Sequence, residues 1–238
     1  LELLDIEPAT AVTRILVKPN GINVTQFPAV SRNEPRDGEC FSLVSVSRIE
    51  PKKGLLYLVD AVARLRDRNA RVQLHVIGGV DDSPASRRYH QEVATKIQAL
   101  GLDCILHLEG RRSEAEINEF FKASHVFVAP FVETESGDKD GVPTALLEAM
   151  ASGLPVVATD AGSILEVIEH DLDGVIVPQR DPDALADAIA VLLADVERRS
   201  ALGKNGARKV RQKFDATTGE GMFHERLQTL LANVQHDM

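Results

Sequence analysis

Two carboxylates stand eight residues apart in the run Asp140-Gly141-Val142-Pro143-Thr144-Ala145-Leu146-Leu147-Glu148. On a single helix that spacing is ~12 Å along the axis, too far for a pair sharing one proton. Asp140 and Glu148 read instead as separate acceptors for hydroxyl groups. The segment between them starts a helix, and a helix start presents bare amides that attract phosphate. Hydroxyl acceptors beside a phosphate-binding helix end suit a nucleotide sugar. Each carboxylate also has a structural reading. Asp140 before Gly141 fits a turn or cap. Glu148 aligns with Thr144 and Ser152 in a polar stripe opposite Leu146, Leu147 and Met150, and such stripes commonly face water.

A second run, Arg48-Ile49-Glu50-Pro51-Lys52-Lys53-Gly54, supplies cations. Arg48 can offer a planar fork to a diphosphate and Lys53 a point charge. The structural reading is a solvated basic loop. The loop lacks G-x-x-x-x-G-K-[ST] and G-x-G-x-x-G, which disfavours P-loop ATPases and ordinary NAD enzymes. The acidic stretch 131–139 holds Glu133, Glu135 and Asp138 but no EF-hand pattern, and reads as a solvated loop. His75, His107 and His125 fall at strand positions and form no metal pair or triad. No G-x-S-x-G elbow occurs. No bound metal is expected.

The elements that must position these residues alternate. Strands are expected at Phe41 to Ser47, Val72 to Gly78, Cys104 to Leu108, Val126 to Pro130, Pro155 to Thr159 and Gly174 to Val177. They are short and rich in Val, Ile and Leu, as strands covered on both faces should be. Leu55, Leu58, Val59, Val62 and Leu65 form one helical stripe, and Leu185, Ala188, Ile189, Leu192 and Leu193 another. Asp181-Pro182 opens the second helix, and Gly153 closes the helix carrying Glu148. The regular alternation predicts an α/β fold, a doubly wound six-stranded parallel sheet in the order 3-2-1-4-5-6. A (β/α)8 barrel would need eight units. In the doubly wound fold the ligand sits beyond the strand carboxyl ends, where the order switches between strands 1 and 4. Arg48 to Gly54 and Phe131 to Gly141 both fall there.

With 238 residues, 27 Lys+Arg and 36 Asp+Glu, the chain can bury a full core and carries a formal charge of -9. That balance favours neither nucleic acid nor an anionic membrane. Cys40 and Cys104 lie in strand-like runs and are expected as buried free thiols. No signal peptide or membrane-spanning run is visible, so a cytoplasmic setting is the default. Leu1 in place of an initial Met suggests a partial sequence. Residues 1–38 are irregular, with one strand-like piece, Arg14 to Val17, and a linker or exposed turn at Asn33 to Gly38. From Val196 onward two or three helices are expected and no strand.

Together these segments resemble the family 4 retaining glycosyltransferases of GT-B fold, from about Arg14 to Phe214. Pro19-Asn20-Gly21-Ile22-Asn23 with Phe27 resembles the segment leading out of that family's N-terminal domain. Arg48 to Lys53-Gly54 resembles its basic loop, and Asp140 to Glu148 its E-x7-E motif. Ala161-Gly162, Glu166 and Gly174 resemble the segment after that motif. The resemblance implies that Arg48 and Lys53 hold the diphosphate of a UDP- or GDP-sugar and that Asp140 meets the transferred sugar. It places amides of Gly141, Val142, Thr144 and Ala145 on sugar or phosphate, Glu148 on the ribose, and Gly110 to Arg112 beside the base. It also implies a donor-binding C-terminal domain at 39–214. Residues 1–38 would be the linker edge of a second domain, and 215–238 a helix, Thr217 to Val234, returning to it. That second domain would bring a saccharide or glycolipid acceptor, with peripheral membrane association if the acceptor is a lipid. Asp140 stands where the family has Glu, Ser47 where it has Gly, and Gly78-Gly79-Val80 differs from its Gly-x-Gly-Pro turn. A sugar-nucleotide epimerase of the same fold and a non-catalytic nucleotide-binding module are the alternatives.

Overall fold

The apolar runs form six parallel strands, β1 (Phe41–Val46), β2 (Val72–Ile77), β3 (Leu106–Gly110), β4 (Val126–Ala129), β5 (Val156–Thr159) and β6 (Val175–Val177). Their order is β3-β2-β1-β4-β5-β6, as the alternation predicts. This computed structural model describes residues 21–217. The strand-like piece at Arg14 to Val17, Pro19, Asn20 and the helix expected from Thr217 onward, save Thr217 itself, lie outside them. β1 runs in register with β2 from Phe41 opposite Val72, and pairs β4 through Leu43 opposite Val126. Parallel strands need crossovers, and helices supply them on both faces.

The crossovers are α1 (Leu55–Asp67), α2 (Pro84–Ala99), α3 (Glu114–Ala123), α4 (Thr144–Ala151), α5 (Ile164–Val167) and α6 (Pro182–Ala194), followed by α7 (Val196–Lys213). The Leu55, Leu58, Val59, Val62 and Leu65 stripe is wholly buried. With Val93 and Ile97 of α2 and Leu185, Ile189 and Leu192 of α6, it forms the core on one face of the sheet. Phe121, Leu146, Leu147, Met150 and Ile164 fill the other face. Asp181 caps α6 by accepting from the Ala184 amide at 2.9 Å. Ser113 and Glu116 form a reciprocal capping box at α3. Gly153 ends α4 in the left-handed conformation (φ 75°), as expected.

Residues 21–34 strap along the second face. Phe27 is buried there, and Ile22 pairs with the end of α7 through its N–H to Phe214 O (2.9 Å) and its carbonyl to the Ala216 amide (2.9 Å). Asn33 to Gly38 forms an outer segment with a turn. Two expectations fail. Cys40 and Cys104 are exposed free thiols. Cys40 precedes β1, and Cys104 sits in a turn closed by the Ile105 amide on Leu102 O, so β3 begins two residues later than its apolar pattern suggests.

Candidate functional site

The sheet order reverses between β1 and β4, and the loops beyond their carboxyl ends meet there. Gly54 makes the meeting possible. Its φ is 62°, and a Cβ there would lie 1.8 Å from Pro130 O. Only glycine adopts that angle without strain while letting another backbone so close. The Val132 amide donates to Lys52 O at 2.9 Å, joining the two loops. Gly162, φ 59°, brings in a third loop, since a Cβ there would lie 2.3 Å from Asp140 O.

Lys53 ends a single 3-10 turn, Pro51–Lys53. It is buried, with Nζ 2.5 Å from Asp140 Oδ2 and 4.4 Å from the centroid of the Phe131 ring. Lys52 Nζ lies 3.2 Å from Asp138 and 3.8 Å from the other oxygen of Asp140. Arg48 points outward and pairs with Glu50 at 2.6 Å, its side chain 63% exposed. It borders a polar cleft of about 350 Å³ lined also by Lys52, Asp81, Ser86, Thr134 and Asp138.

Beyond Asp140, Gly141 is exposed and Val142, Ala145 and Glu148 are half-buried. Pro143 occupies the cap position of α4 and no side chain caps its first turn. The polar stripe does not simply face water. Ser152 is fully buried and donates to Ala149 O at 2.7 Å. Burial pushes the Glu148 carboxyl up, with the like charge of Glu114 adding to the effect. Among the described residues no side chain pairs with Glu148, so its oxygens are open to outside donors.

Arg112 stands apart from the Lys53–Asp140 pair, beyond edge strand β3. It donates to Glu109 at 2.8 Å and lies 3.9 Å from Glu116. Glu109 also bonds His75 Nδ1 at 2.9 Å, and Arg112 first, then His75, holds its carboxyl below the usual range. His75 stacks on His107 at 5.3 Å, which makes these paired strand histidines.

The structure therefore joins Lys53 and Asp140, sets Gly141 to Ala145 beside them, leaves Glu148 one helical turn beyond Thr144, and places Arg48 at the rim. Sequence reading missed Lys52 and Asp138. The Lys-Lys doublet after a proline was the available signal, but adjacency gives no hint that both ammoniums converge on one carboxylate.

A larger cavity of about 500 Å³ opens at the opposite strand ends, lined in part by Arg32, His125, Arg199 and Lys204. Arg32 there directs five hydrogen bonds onto the carbonyls of Val30, Phe121, Ser124, Ser152 and Gly153, and burial lowers its pKa to about 10. With every N–H committed, Arg32 has no donor left for a ligand. Among the described residues no cluster of three or more His, Cys, Asp or Glu is placed to hold a metal, and no helix is long and apolar enough to cross a membrane.

A protein-family model, Glycosyl transferases group 1, matches residues 27–209. The glycosyltransferase WcaL of Escherichia coli (strain K12), named for colanic acid biosynthesis, is 30% identical over 85% of this chain and 48% of its own length. The chain spans about half the length of the curated relatives it matches. Among solved structures, sucrose-phosphate synthase from Thermosynechococcus elongatus superposes with a TM-score of 0.76 at 26% identity, over 90% of this chain and 52% of the other. The C-terminal domain of the group 1 protein LpcC from Francisella tularensis is covered completely, with 82% of this chain, at a TM-score of 0.68 and 23% identity.

Proposed function

We propose, from the premise that this chain belongs to the glycosyl transferases group 1 family, that it is the donor-binding part of a retaining, family 4 type glycosyltransferase. The substrate class is a UDP- or GDP-sugar. The product class is a polysaccharide, glycolipid or other glycoconjugate. One observation carries the reading. At the switch point of a doubly wound sheet, Lys53 and Asp140 pair at 2.5 Å beside an uncapped helix start. A cation and open amides suit a diphosphate, and the carboxylate suits the hydroxyls of the sugar attached to it.

The roles follow from chemistry. As the bond from the anomeric carbon to the diphosphate oxygen breaks, its electron pair moves to the departing nucleoside diphosphate. Lys53, Arg48 and the amides near Thr144 stabilise that charge. The acceptor oxygen bonds the anomeric carbon on the same face, and its proton passes to the departing diphosphate oxygen. Asp140 orients the transferred sugar, and Glu148, carrying no side-chain partner among the described residues, accepts from the ribose hydroxyls. Arg112 lies toward the base. No metal is required where cationic side chains and a helix end neutralise the leaving group.

The rest of the longer relatives' length would supply the acceptor surface, so the isolated chain binds nucleotide without transferring sugar. Calorimetry with UDP and GDP tests this. Binding by one of them, weakened about tenfold in Arg48→Ala, is expected for loss of one charge-assisted phosphate contact. Binding by neither sinks the reading.

A further inference from the structure

We infer that Lys52 is a positioning residue that takes charge of Asp140 when an anion claims Lys53. This rests on the proposed donor site, in which Lys53 meets the diphosphate. The Lys53–Asp140 pair poses an electrostatic conflict for an incoming anion. Lys53 is already neutralised by Asp140 at 2.5 Å, and both side chains are largely buried, at 10% and 18% exposure. A diphosphate arriving at Lys53 sets its negative charge beside the Asp140 carboxylate. Two like charges in a partly desolvated site repel strongly unless a second cation intervenes.

Lys52 is placed to be that cation. Its Nζ is 3.8 Å from Asp140 Oδ1, the oxygen that Lys53 does not hold. Its present partner, Asp138 at 3.2 Å, is 59% exposed. An ion pair to such a group is weak and exchanges readily. Asp138 does not need Lys52 to keep its place. Its carbonyl accepts the Thr134 amide at 2.9 Å, and its amide donates to Thr134 Oγ1 at 3.0 Å. The Lys52 backbone is fixed through its carbonyl on the Val132 amide. Only the side chain has to swing, by about the difference between a long ion pair and a hydrogen bond. Lys52 thus leaves Asp138, closes on Asp140 and keeps that carboxylate paired and aimed, while Lys53 turns to phosphate.

Calorimetry on the full chain, with inorganic pyrophosphate, UDP and GDP as probes, tests the exchange. Lys52→Met should weaken binding about tenfold, the scale of a partly screened charge interaction. Lys52→Arg should retain most of the affinity. Asp138→Asn should strengthen binding about twofold to threefold, because it frees Lys52 in advance. In an Asp140→Asn background, Lys52→Met should have no effect, since no charge remains to be compensated. An equal loss in that background would mean that Lys52 touches the anion directly, and overturns the inference. So does Asp138→Asn leaving affinity unchanged or lower, a result that stands even if Lys52→Met does not fold. If the unaltered chain binds no probe, the donor-site reading itself fails. If it binds, and Arg48→Ala weakens it while Lys52→Met does not, only the role of Lys52 is lost.

Discussion

Burial raises the Glu148 carboxyl above its ordinary value, with no donor among the described residues to offset the cost. A raised carboxylate pKa means the folded state holds the proton more tightly than the unfolded chain. Glu148 therefore costs nothing well below pH 4.5, its ordinary value. The penalty sets in as pH rises past that point and is complete above the elevated folded value. Glu148→Gln should remove it, raising the melting temperature at pH 7 by about 1–3 °C. If Glu148 accepts from the ribose as proposed, the same change should weaken UDP or GDP binding about tenfold, because an amide is a poorer acceptor for hydroxyls than a carboxylate. Thermal unfolding and calorimetry on one sample read both effects. A variant neither more stable nor weaker in binding would make Glu148 an ordinary surface carboxylate. The neighbouring glycines give a sharper contrast. Gly54→Ala forces a Cβ to 1.8 Å from Pro130 O, whereas a Cβ at Gly141 would meet nothing within 4 Å among the described residues. Urea unfolding should show a loss of about 2–4 kcal/mol for Gly54→Ala and under ~1 kcal/mol for Gly141→Ala.

Helix α4 carries the candidate site at one end and is fastened at the other. Its carboxyl-end carbonyls at Ser152 and Gly153, and those of Phe121 and Ser124 around the end of α3, all accept from Arg32. A cation at two helix carboxyl ends also complements their dipoles. Arg211 adds a bond from its Nη2 to Ala151 O at 3.0 Å. Arg32→Ala leaves several buried carbonyls unpaired, so a destabilisation of about 3 kcal/mol is expected in chemical unfolding. Nucleotide affinity measured well below the melting point should change less than twofold, since the uncapped start of α4 lies at the far end. A large affinity loss in still-folded protein would show that the strap shapes the site directly. This joint was not legible in the sequence. Residues 28–35 carry no periodicity, and the value of Arg32 arises from carbonyls some ninety residues and more away in the chain. The strands and helices were legible because hydrophobic spacing is local. So were the caps at Asp181 and Gly153, whose partners lie within a few residues. The thiols were misjudged for the complementary reason: apolar neighbours mark a strand's interior but not its first residue, and Cys40 and Cys104 fell just outside.

At the scale of the molecule, the sheet order followed from the strand–helix alternation, and topology names its switch point as the place to expect a site. The Lys53–Asp140 contact spans 87 positions and needed the fold to bring it about. The same fold sets a pH limit at the opposite strand ends. His125 receives the Ser42 amide at Nδ1 (3.0 Å) and bonds Asn33 O through Nε2 (3.1 Å). It therefore joins β1, the entry to β4 and the strap as a neutral ring with its proton on Nε2. Burial, then the charge of Arg199, lowers its pKa, while the hydrogen bond to the Asn33 carbonyl and the charge of Glu34 oppose them without reversing the shift. A second proton would also have to displace the Ser42 amide. The unfolded chain titrates this residue near the ordinary 6.5. Its neutral form thus contributes stability fully above that pH, and the contribution is lost as pH falls toward and through the lower folded value. Unfolding free energy should decline below about pH 6.5 more steeply in the unaltered chain than in His125→Asn, which lacks the proton site. Measured by urea titration at several pH values, matching slopes for both proteins would free the strap from any dependence on His125. A steeper unaltered chain would tie the joint between β1, the entry to β4 and the strap to the neutral His125 ring.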